Sequence, residues 1–259
     1  MKKTLIALAV AASAVSGSAM AWTANGTGGS ADMGGSLTPK AKVIPWEVQI
    51  GAAVNDLVGK IKEGSTIASV PVNTTIPVLG IRTVSDSGFV GEEGLNPQID
   101  YGGAVDFSAS VNGVAPVTLK VKNTADNSEI GKLATSMDVV SRMSRIKTDG
   151  TDAQSFNVFA INAGQVFYGG VGGSSSAISA TASVNDAATL IPGVTDKFFD
   201  FGGVDVGNWR TVIDPAFKYS AVYASAIKAG NDIKLTLNAP ASTDEIKWAA
   251  QLPVTVSYQ

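Results

Sequence analysis

The sequence predicts an all-β fold built from short strands, and two features of its core carry this prediction. Between residues 43 and 123, stretches rich in β-branched residues alternate with turn-forming clusters. Within the stretch 114–123, Val117, Leu119 and Val121 occupy one face, and the positions between them are Thr or Lys. Strict alternation of apolar and polar residues is typical of a strand with one buried and one solvated face. A chain of 259 residues is long enough for one large domain with a substantial core.

These local patterns place the strands along the chain. The predicted strands are 43–50, 66–72, 76–84, 114–123, 130–140, 219–227 and 233–238. The polar cluster at 123–128 predicts that the strand 130–140 returns antiparallel to 114–123. The turn at 229–232 predicts that the strands 219–227 and 233–238 form a hairpin.

Residues 141–215 differ in composition from the strands around them. They contain several Gly-Gly pairs, a Gly/Ser run at 172–176 and an aromatic cluster at 198–201. The alanine-rich stretch 177–190 could form a short helix. Because long loops inside a domain are uncommon unless they are functional, we interpret 141–215 as a loop and short-helix insertion on the β-core.

Histidine and cysteine are both absent from the chain, and their absence excludes several kinds of chemistry. There can be no Ser-His-Asp or Cys-His triad, no zinc site of imidazole or thiolate ligands, and no disulfide. Glu92 and Glu93 are adjacent, so on a strand they would point to opposite faces and form a poor acid–base pair. Asp149 and Asp152 lack the acidic string of a calcium loop. We therefore expect no enzyme activity, no metal and no cofactor.

The first 21 residues have the pattern of a secretory signal peptide. Lys2 and Lys3 precede an apolar run at 5–15 that is too short to cross a membrane. A small-x-small motif ends at Ala21, so we expect cleavage between Ala21 and Trp22. The full chain has 19 basic and 22 acidic residues, a net charge of −3, and removal of two lysines makes it more acidic. This balance argues against nucleic acid as a partner.

Both ends of the mature chain carry strand-like patterns. Residues 22–38, which we call the arm, are rich in Gly, Ser and Thr, with small or apolar residues at every second position. The residues on this face of the arm are Thr27, Gly29, Ala31, Met33, Gly35 and Leu37. At the other end, Leu252, Val254, Val256 and Tyr258 share one face of a predicted final strand.

Four segments together make the chain resemble a known family. They are the arm sequence 28–38, the predicted strand that contains Trp46, the segment Phe167-Tyr-Gly-Gly170 and the ending 248–258. In this order they resemble the FaeG-type major-subunit adhesins, which build thin enteric fimbriae by the chaperone–usher pathway. The resemblance spans most of the mature chain and is densest at the two ends and at 167–170.

The resemblance implies an incomplete immunoglobulin-like β-sandwich that is completed by a donor strand. A periplasmic chaperone first covers the open groove, and at the outer-membrane usher the arm of the next identical subunit replaces it, which produces a linear polymer at the cell surface. Residues 1–21 are then the signal peptide, 22–38 the donor arm, and 39–259 the immunoglobulin-like domain with an adhesive insertion at about 141–215. The strand that contacts the chaperone maps onto Leu252, Val254, Val256, Tyr258 and Gln259.

The resemblance also implies that the inserted region binds a host glycoprotein or glycolipid. Aromatic faces and planar polar side chains bind sugars, and loops are their usual location. The candidates for glycan binding are Asn162, Tyr168, Trp209 and Arg210. The other aromatic residues considered are expected in the core: Trp46, Phe156, Phe159, Phe167 and Trp248.

Three other interpretations share parts of this pattern. The protein could be a non-adhesive subunit of a fimbrial shaft. An outer-membrane β-barrel would also have a signal peptide and a final amphipathic strand, but it needs aromatic girdles that the sequence lacks. A secreted enzyme on a β-sandwich lacks a catalytic constellation. Inhibition of cell binding by free glycans would distinguish an adhesive subunit from a shaft subunit.

Overall fold

The computed structural model describes residues 24, 26, 33–38, 42–205 and 210–259. The chain divides into two units, residues 1–42 and residues 43–259. In the first unit, residues 33–38 belong to no helix or strand and are exposed. The predicted signal peptide at 1–21, its cleavage point at Ala21 and Trp22, and the arm positions Thr27, Gly29 and Ala31 lie outside the described residues.

The second unit is built almost entirely of β-strands. They are β1 (Trp46–Ile50), β2 (Ile67–Pro71), β3 (Ile76–Thr83), β4 (Phe89–Val90), β5 (Pro97–Asp100), β6 (Val114–Asn123), β7 (Glu129–Lys147), β8 (Gln154–Asn157), β9 (Val204–Asp205), β10 (Phe217–Ile227), β11 (Asp232–Leu237), β12 (Trp248–Ala250) and β13 (Thr255–Tyr258). The helical elements are a short 3₁₀ helix (Phe107–Ala109) and the helix α1 (Val184–Leu190).

The long strand β7 belongs to two layers at once. Its first half pairs with β6 on one edge and β11 on the other, and its second half pairs with β8 and β10. One layer therefore has the order β12-β6-β7-β11-β2, and the other has the order β1-β3-β10-β7-β8-β9. The short strand β4 adds to β10, and β5 and β13 form a separate antiparallel pair.

The main core lies between these two layers. Its buried side chains come from both of them, and include Val70, Val117, Leu133, Ile233, Leu79, Ile81, Met143 and Tyr223. In β6, Val117, Leu119 and Val121 are 1%, 8% and 0% exposed, which confirms the alternation predicted for this strand. The antiparallel return of β7 along β6 is also confirmed. The fold is therefore the predicted all-β sandwich.

A smaller core cluster packs α1 against the outer face of the second layer. Ala187 and Leu190 of α1 contact a group of small side chains on β10 that includes Val222 and Ala224. The helix begins after Ser183, which forms a capping box with Asp186. It occupies the last part of the range 177–190 predicted from the sequence. In the described part of the chain, no helix has the length and apolarity needed to span a membrane.

Two predictions about the strands are wrong. The strand expected to end at residue 140 continues to Lys147, because the hydroxyls of Ser141 and Ser144 are buried and donate to carbonyls of the neighbouring segment. Because these buried positions are occupied by serine, the apolar–polar alternation that would predict a strand is absent from this part of the sequence. The predicted hairpin does not form either, since β10 and β11 lie end to end along the same edge of β7 instead of pairing with each other.

Candidate functional site

The apolar side of the residues from Trp248 to Tyr258, which we call the C-terminal strand, is only partly covered. Alternate side chains pack against the main core and are half-buried, whereas the residues between them are exposed. The half-buried residues are Trp248, Ala250, Leu252, Val254, Val256 and Tyr258. Burial raises the pKa of the Tyr258 hydroxyl. A fully covered strand would bury all six, so this face of the core is open.

The C-terminal strand also has a free edge. In the part of the chain that the structure describes, β12 pairs with β6 alone and β13 with β5 alone. Residues 251–254 between them belong to no strand. Apart from Pro253, which has no N–H, their backbone N–H and C=O groups can therefore pair with a further strand, the property that makes exposed edges prone to association.

A second extended segment borders the same opening. Residues 52–59 belong to no strand and form no backbone–backbone hydrogen bond with another described residue. Leu57 and Ile61 are half-buried against the main core, and Lys60 forms an isolated bridge to Ser69 of β2. We call the half-buried residues of the C-terminal strand, together with Leu57 and Ile61, the open edge.

One end of the open edge contains a cavity of about 250 Å³. Its apolar walls come from the segment 57–61, from β2 and β11, and from the start of the C-terminal strand. They include Leu57, Ile61, Val70, Leu235, Leu237 and Trp248. The lining also includes Lys60, Asp244 and Glu245, so the cavity joins apolar walls to a charged part. Its volume is far larger than one water requires, and its apolar walls can accept an apolar side chain.

Asn96 holds the far end of the C-terminal strand. Its backbone exchanges hydrogen bonds with Gln259, with N···O distances of 2.9 and 3.0 Å, and its Nδ2 donates to the Gln259 carbonyl at 3.0 Å. Its Oδ1 accepts from the buried N–H of Val212 at 2.8 Å. Asn96 is 2% exposed and its bond to Val212 is buried, whereas its bond to the exposed residue Gln259 is partly buried. A single buried amide thus fixes the last residues of the open edge to the rest of the fold.

The whole chain matches a family model. Residues 1–259 match the K88-type model described as "Fimbrial, major and minor subunit". The chain belongs to this fimbrial subunit family. The K88 fimbrial proteins AC and AB of Escherichia coli are 31% and 30% identical to the chain, and the F41 fimbrial protein of Escherichia coli is 28% identical. Each alignment covers 100% of both chains.

Membership of the family establishes the general role of the protein. It is a fimbrial subunit, exported to the cell surface, and its relatives are structural proteins rather than enzymes. The resemblance to FaeG-type subunits inferred from the sequence is therefore confirmed.

Three of the four glycan-binding candidates lie in or beside one segment of the fimbrial subunit: Asn162, Tyr168 and Arg210. Asn162 and Tyr168 belong to the segment 161–168, which is held by Gln165: its side-chain Oε1 accepts from the N–H groups of Ile161 and Asn162 at 2.6 and 3.0 Å. The Arg210 carbonyl accepts from Val166 in the same segment at 2.9 Å. Trp209 lies outside the described residues.

This segment attaches to β5 and so lies beside the C-terminal strand. The Gln98 side chain donates to the Gln165 carbonyl and accepts from the Gly164 N–H, both at 2.9 Å, and the Ile99 N–H donates to the Tyr168 carbonyl at 2.8 Å. Gln98 and Gln165 are buried. Sequence patterns do not identify these two residues or Asn96, because isolated buried amides form no pattern.

The segment Phe167-Tyr-Gly-Gly170 is part of the core of the fimbrial subunit. The ring of Phe167 is fully buried, and its centroid lies 5.9 Å from that of Trp46 and 5.4 Å from that of Tyr223. The Tyr223 hydroxyl donates to the Gly170 carbonyl at 2.9 Å. Trp46 and Phe156 are buried as predicted, whereas Phe159 and Trp248 are half-buried. Tyr168, which is 38% exposed, is the residue of the segment that reaches solvent.

The acidic residues considered above as catalytic or calcium-binding groups lie in turns and loops. Glu92 and Glu93 are exposed. Asp149 accepts hydrogen bonds from the N–H and the hydroxyl of Thr151 at 2.9 and 2.6 Å, and the hydroxyl bond is the main cause of the lowered pKa of its carboxyl. Within the described residues, no cluster of three or more His, Cys, Asp or Glu could hold a metal ion.

Replacement of Asn96 by alanine is expected to destabilise the subunit by about 2–4 kcal/mol, because it removes two side-chain hydrogen bonds and leaves the buried Val212 N–H without a partner. The measurement is the free energy of unfolding in denaturant. Asn238→Ala serves as the control, since the Asn238 side chain makes one exposed bond to the Glu129 carbonyl. Equal losses in the two variants would show that Asn96 does not hold the strand.

Proposed function

We propose that the fimbrial subunit polymerises by donor-strand exchange, in which the arm of one copy completes the open edge of its neighbour. One observation carries the proposal. Six arm positions from Thr27 to Leu37 and six half-buried positions from Trp248 to Tyr258 both recur at every second residue. Each set would span about 33 Å if the chain were fully extended, so the two sets match in length.

The chemistry of the two surfaces also supports the pairing. Met33 and Leu37 of the arm are 95% and 99% exposed, and burial of each side chain would contribute about 1.5–3 kcal/mol. The open edge offers half-buried apolar side chains, an unpaired backbone edge and a cavity with apolar walls on several sides. An arm laid along it would satisfy the backbone of the C-terminal strand and cover the core in one step.

The same open edge explains why a chaperone and an usher would be needed. A newly exported subunit exposes an unpaired edge with apolar neighbours, and such edges promote aggregation. A periplasmic chaperone that lends a strand to Leu252, Val254 and Val256 would protect it until an outer-membrane usher brings in the arm of the next subunit. The partners in this proposal are the chaperone, the usher and identical subunits.

We further propose that the assembled subunit adheres to a host glycoprotein or glycolipid. Tyr168 offers a partly exposed ring, and Asn162 offers an exposed amide on the same segment. Such pairs of an aromatic face and a planar polar group suit sugar recognition. A non-adhesive role in the shaft is the second candidate, and it is favoured by the tight attachment of this segment to β5.

Substitution of Val256 by lysine tests the polymerisation proposal. Val256 is half-buried on the core side of β13, so a lysine there would place a charge where the arm must pack. We expect the yield of fimbriae, measured by shearing them from cells and counting them by electron microscopy, to fall at least tenfold. Such a fall corresponds to about 1.4 kcal/mol or more of lost pairing.

The neighbouring residue provides the matched control. Thr255 is exposed on the opposite side of the same strand and lies opposite Asp100 of β5, so Thr255→Lys should leave assembly close to that of the unmodified subunit. Val256→Ala keeps the site apolar and should reduce assembly only modestly. Normal assembly of the Val256→Lys subunit would refute donor-strand exchange at this edge.

A further inference from the structure

Four lysines project from one face of the sandwich, on the outer side of the layer that contains β6, β7 and β11. They are Lys120, Lys122, Lys132 and Lys234, and we call this set the lysine face. All four side chains are exposed, while the residues that alternate with them point into the main core. The lysines therefore do not contribute to the core, and the residues buried behind them fix their positions.

Strand register brings these lysines close together. Lys120 of β6 lies directly opposite Lys132 of β7, at a spacing of about 5 Å between Cβ atoms. Lys122 follows Lys120 on the same face of β6, about 7 Å along the strand, and a register shift after Val121 places it opposite Glu129 of β7. Lys132 pairs with Thr236 of β11, which places Lys234 at the diagonal position, about 7–8 Å away.

Few acidic groups balance this charge. Glu129 forms an ion pair with Lys120, with an Nζ–Oε2 distance of 2.9 Å. The hydrogen bond from Lys120 and then the charges of Lys120, Lys132 and Lys122 lower the pKa of the Glu129 carboxyl, so one carboxylate faces three lysines. Among the residues that the structure describes, Lys122, Lys132 and Lys234 form no ion pair with an acid. The next acid is Asp232, which lies two residues before Lys234 on the same exposed face of β11, about 7 Å along the strand. Two carboxylates therefore face four lysines.

This arrangement of lysines destabilises the folded sheet. Like charges directly opposite each other destabilise a sheet, and the pair of Lys120 and Lys132 is of this kind. Thr118 and Thr236 occupy equivalent outward positions on the same strands without charge, so the fold does not require lysine there. The chain as a whole is acidic, with a net charge of −3. A local positive field on an acidic protein suggests an anionic ligand.

We propose that the lysine face binds an extended polyanionic polysaccharide, one that carries sulfate or carboxylate groups along its chain. Lysines spread over three neighbouring strands of an exposed face suit repeated anionic groups on a linear polymer better than a single small anion. A protein exported to the cell surface meets such polymers outside the cell. In a fimbria the lysine face recurs on every subunit, so weak contacts add up along the fibre.

Binding of purified fimbriae to immobilised heparin tests this proposal. The double variant Lys132→Gln/Lys234→Gln removes two lysines that have no ion pair. We expect its affinity for heparin at 0.15 M salt to fall at least tenfold, and the slope of log affinity against log salt to fall by about one per lysine removed. Thr236→Lys adds a charge beside Lys132 and should increase the affinity at least threefold.

The control is Lys218→Gln/Lys228→Gln, which makes the same change of net charge with two exposed lysines outside the lysine face. It should bind heparin as the unmodified fimbriae do. Equal losses in both double variants would overturn the proposal, and so would the absence of heparin binding in the unmodified fimbriae. A third result would also overturn it: the Lys132→Gln/Lys234→Gln fimbriae bind heparin normally but no longer bind phosphatidylglycerol vesicles. The lysine face would then recognise lipid.

Discussion

A fimbrial subunit that lacks residues 22–38 is expected to aggregate or to remain bound to a chaperone, whereas a subunit that carries the same arm behind Gln259 through a flexible linker is expected to be a stable monomer. The deletion leaves the open edge without cover, so Trp248, Leu252 and Val256 stay half-exposed. The relocated arm reaches the open edge within its own chain, where a short linker gives an effective concentration in the millimolar range.

The size of the effect follows from the side chains that the arm would bury. Burial of Met33 and Leu37 contributes about 1.5–3 kcal/mol each, and new ladder hydrogen bonds offset much of the cost of ordering the arm. A net gain of about 3 kcal/mol would raise the thermal midpoint of the relocated variant by roughly 6–12 °C over the arm-deleted subunit. Thermal unfolding and size-exclusion chromatography of the two proteins measure this difference.

Substitutions in the relocated arm show whether the arm stabilises the subunit by packing into the open edge or merely by being linked to the chain. Met33→Asp with Leu37→Asp places charges on the face proposed to enter the core, and should return the protein to the behaviour of the deletion. Ser36→Asp places a charge on the other face of the arm and should have little effect. If the arm-deleted subunit is a soluble monomer as stable as the unmodified chain, the sandwich is complete without the arm and donor-strand exchange is refuted.

The sequence predicted the outline of the fold well where one face of a strand is buried and the other solvated. The strand at 114–123 was placed correctly because Val117, Leu119 and Val121 alternate with exposed polar residues. The same reasoning failed for the second half of β7, where Ser141 and Ser144 are buried. It also failed for β10 and β11, because a turn between two strands does not reveal that both will pair with a third strand.

The candidate site was predicted unevenly for similar physical reasons. The apolar alternation of Leu252, Val254, Val256 and Tyr258 is visible in the sequence, and the structure shows that these residues are half-buried on one side. The bonds made by Asn96 and Gln98 depend on contacts between residues distant in the chain, such as Asn96 and Gln259. Local sequence patterns therefore cannot predict these hydrogen bonds.

Gly169→Ala is expected to destabilise the subunit by roughly 3 kcal/mol or more. Gly169 has a φ of +80°, a conformation that costs other residues about 1–2 kcal/mol. A Cβ at this position would lie 2.1 Å from the Ile99 carbonyl oxygen, which is backbone of β5 and cannot move freely. The methyl group would therefore push the segment 161–168 away from β5.

Gly173→Ala is the matched control in the same inserted region. A Cβ there would have its closest neighbour at 3.7 Å, an ordinary contact distance, so its stability should stay within about 0.5 kcal/mol of the unmodified subunit. The thermal midpoint of Gly169→Ala should fall by roughly 6–12 °C if the loss is about 3 kcal/mol. Calorimetry of the two variants in an arm-relocated monomer measures both values under the same conditions.

The result also decides what the Phe167-Tyr-Gly-Gly170 segment does. A ligand-binding loop would tolerate Gly169→Ala with little loss of stability and would lose affinity for glycans instead. A structural segment would lose stability, because Phe167 fills the core beside Trp46 and the Gly170 carbonyl accepts from Tyr223. Since β5 joins this segment to β13, loosening it should also weaken the open edge, and the yield of fimbriae should fall along with the thermal midpoint. Loss of stability with unchanged assembly would mean that β13 keeps its position without the segment 161–168.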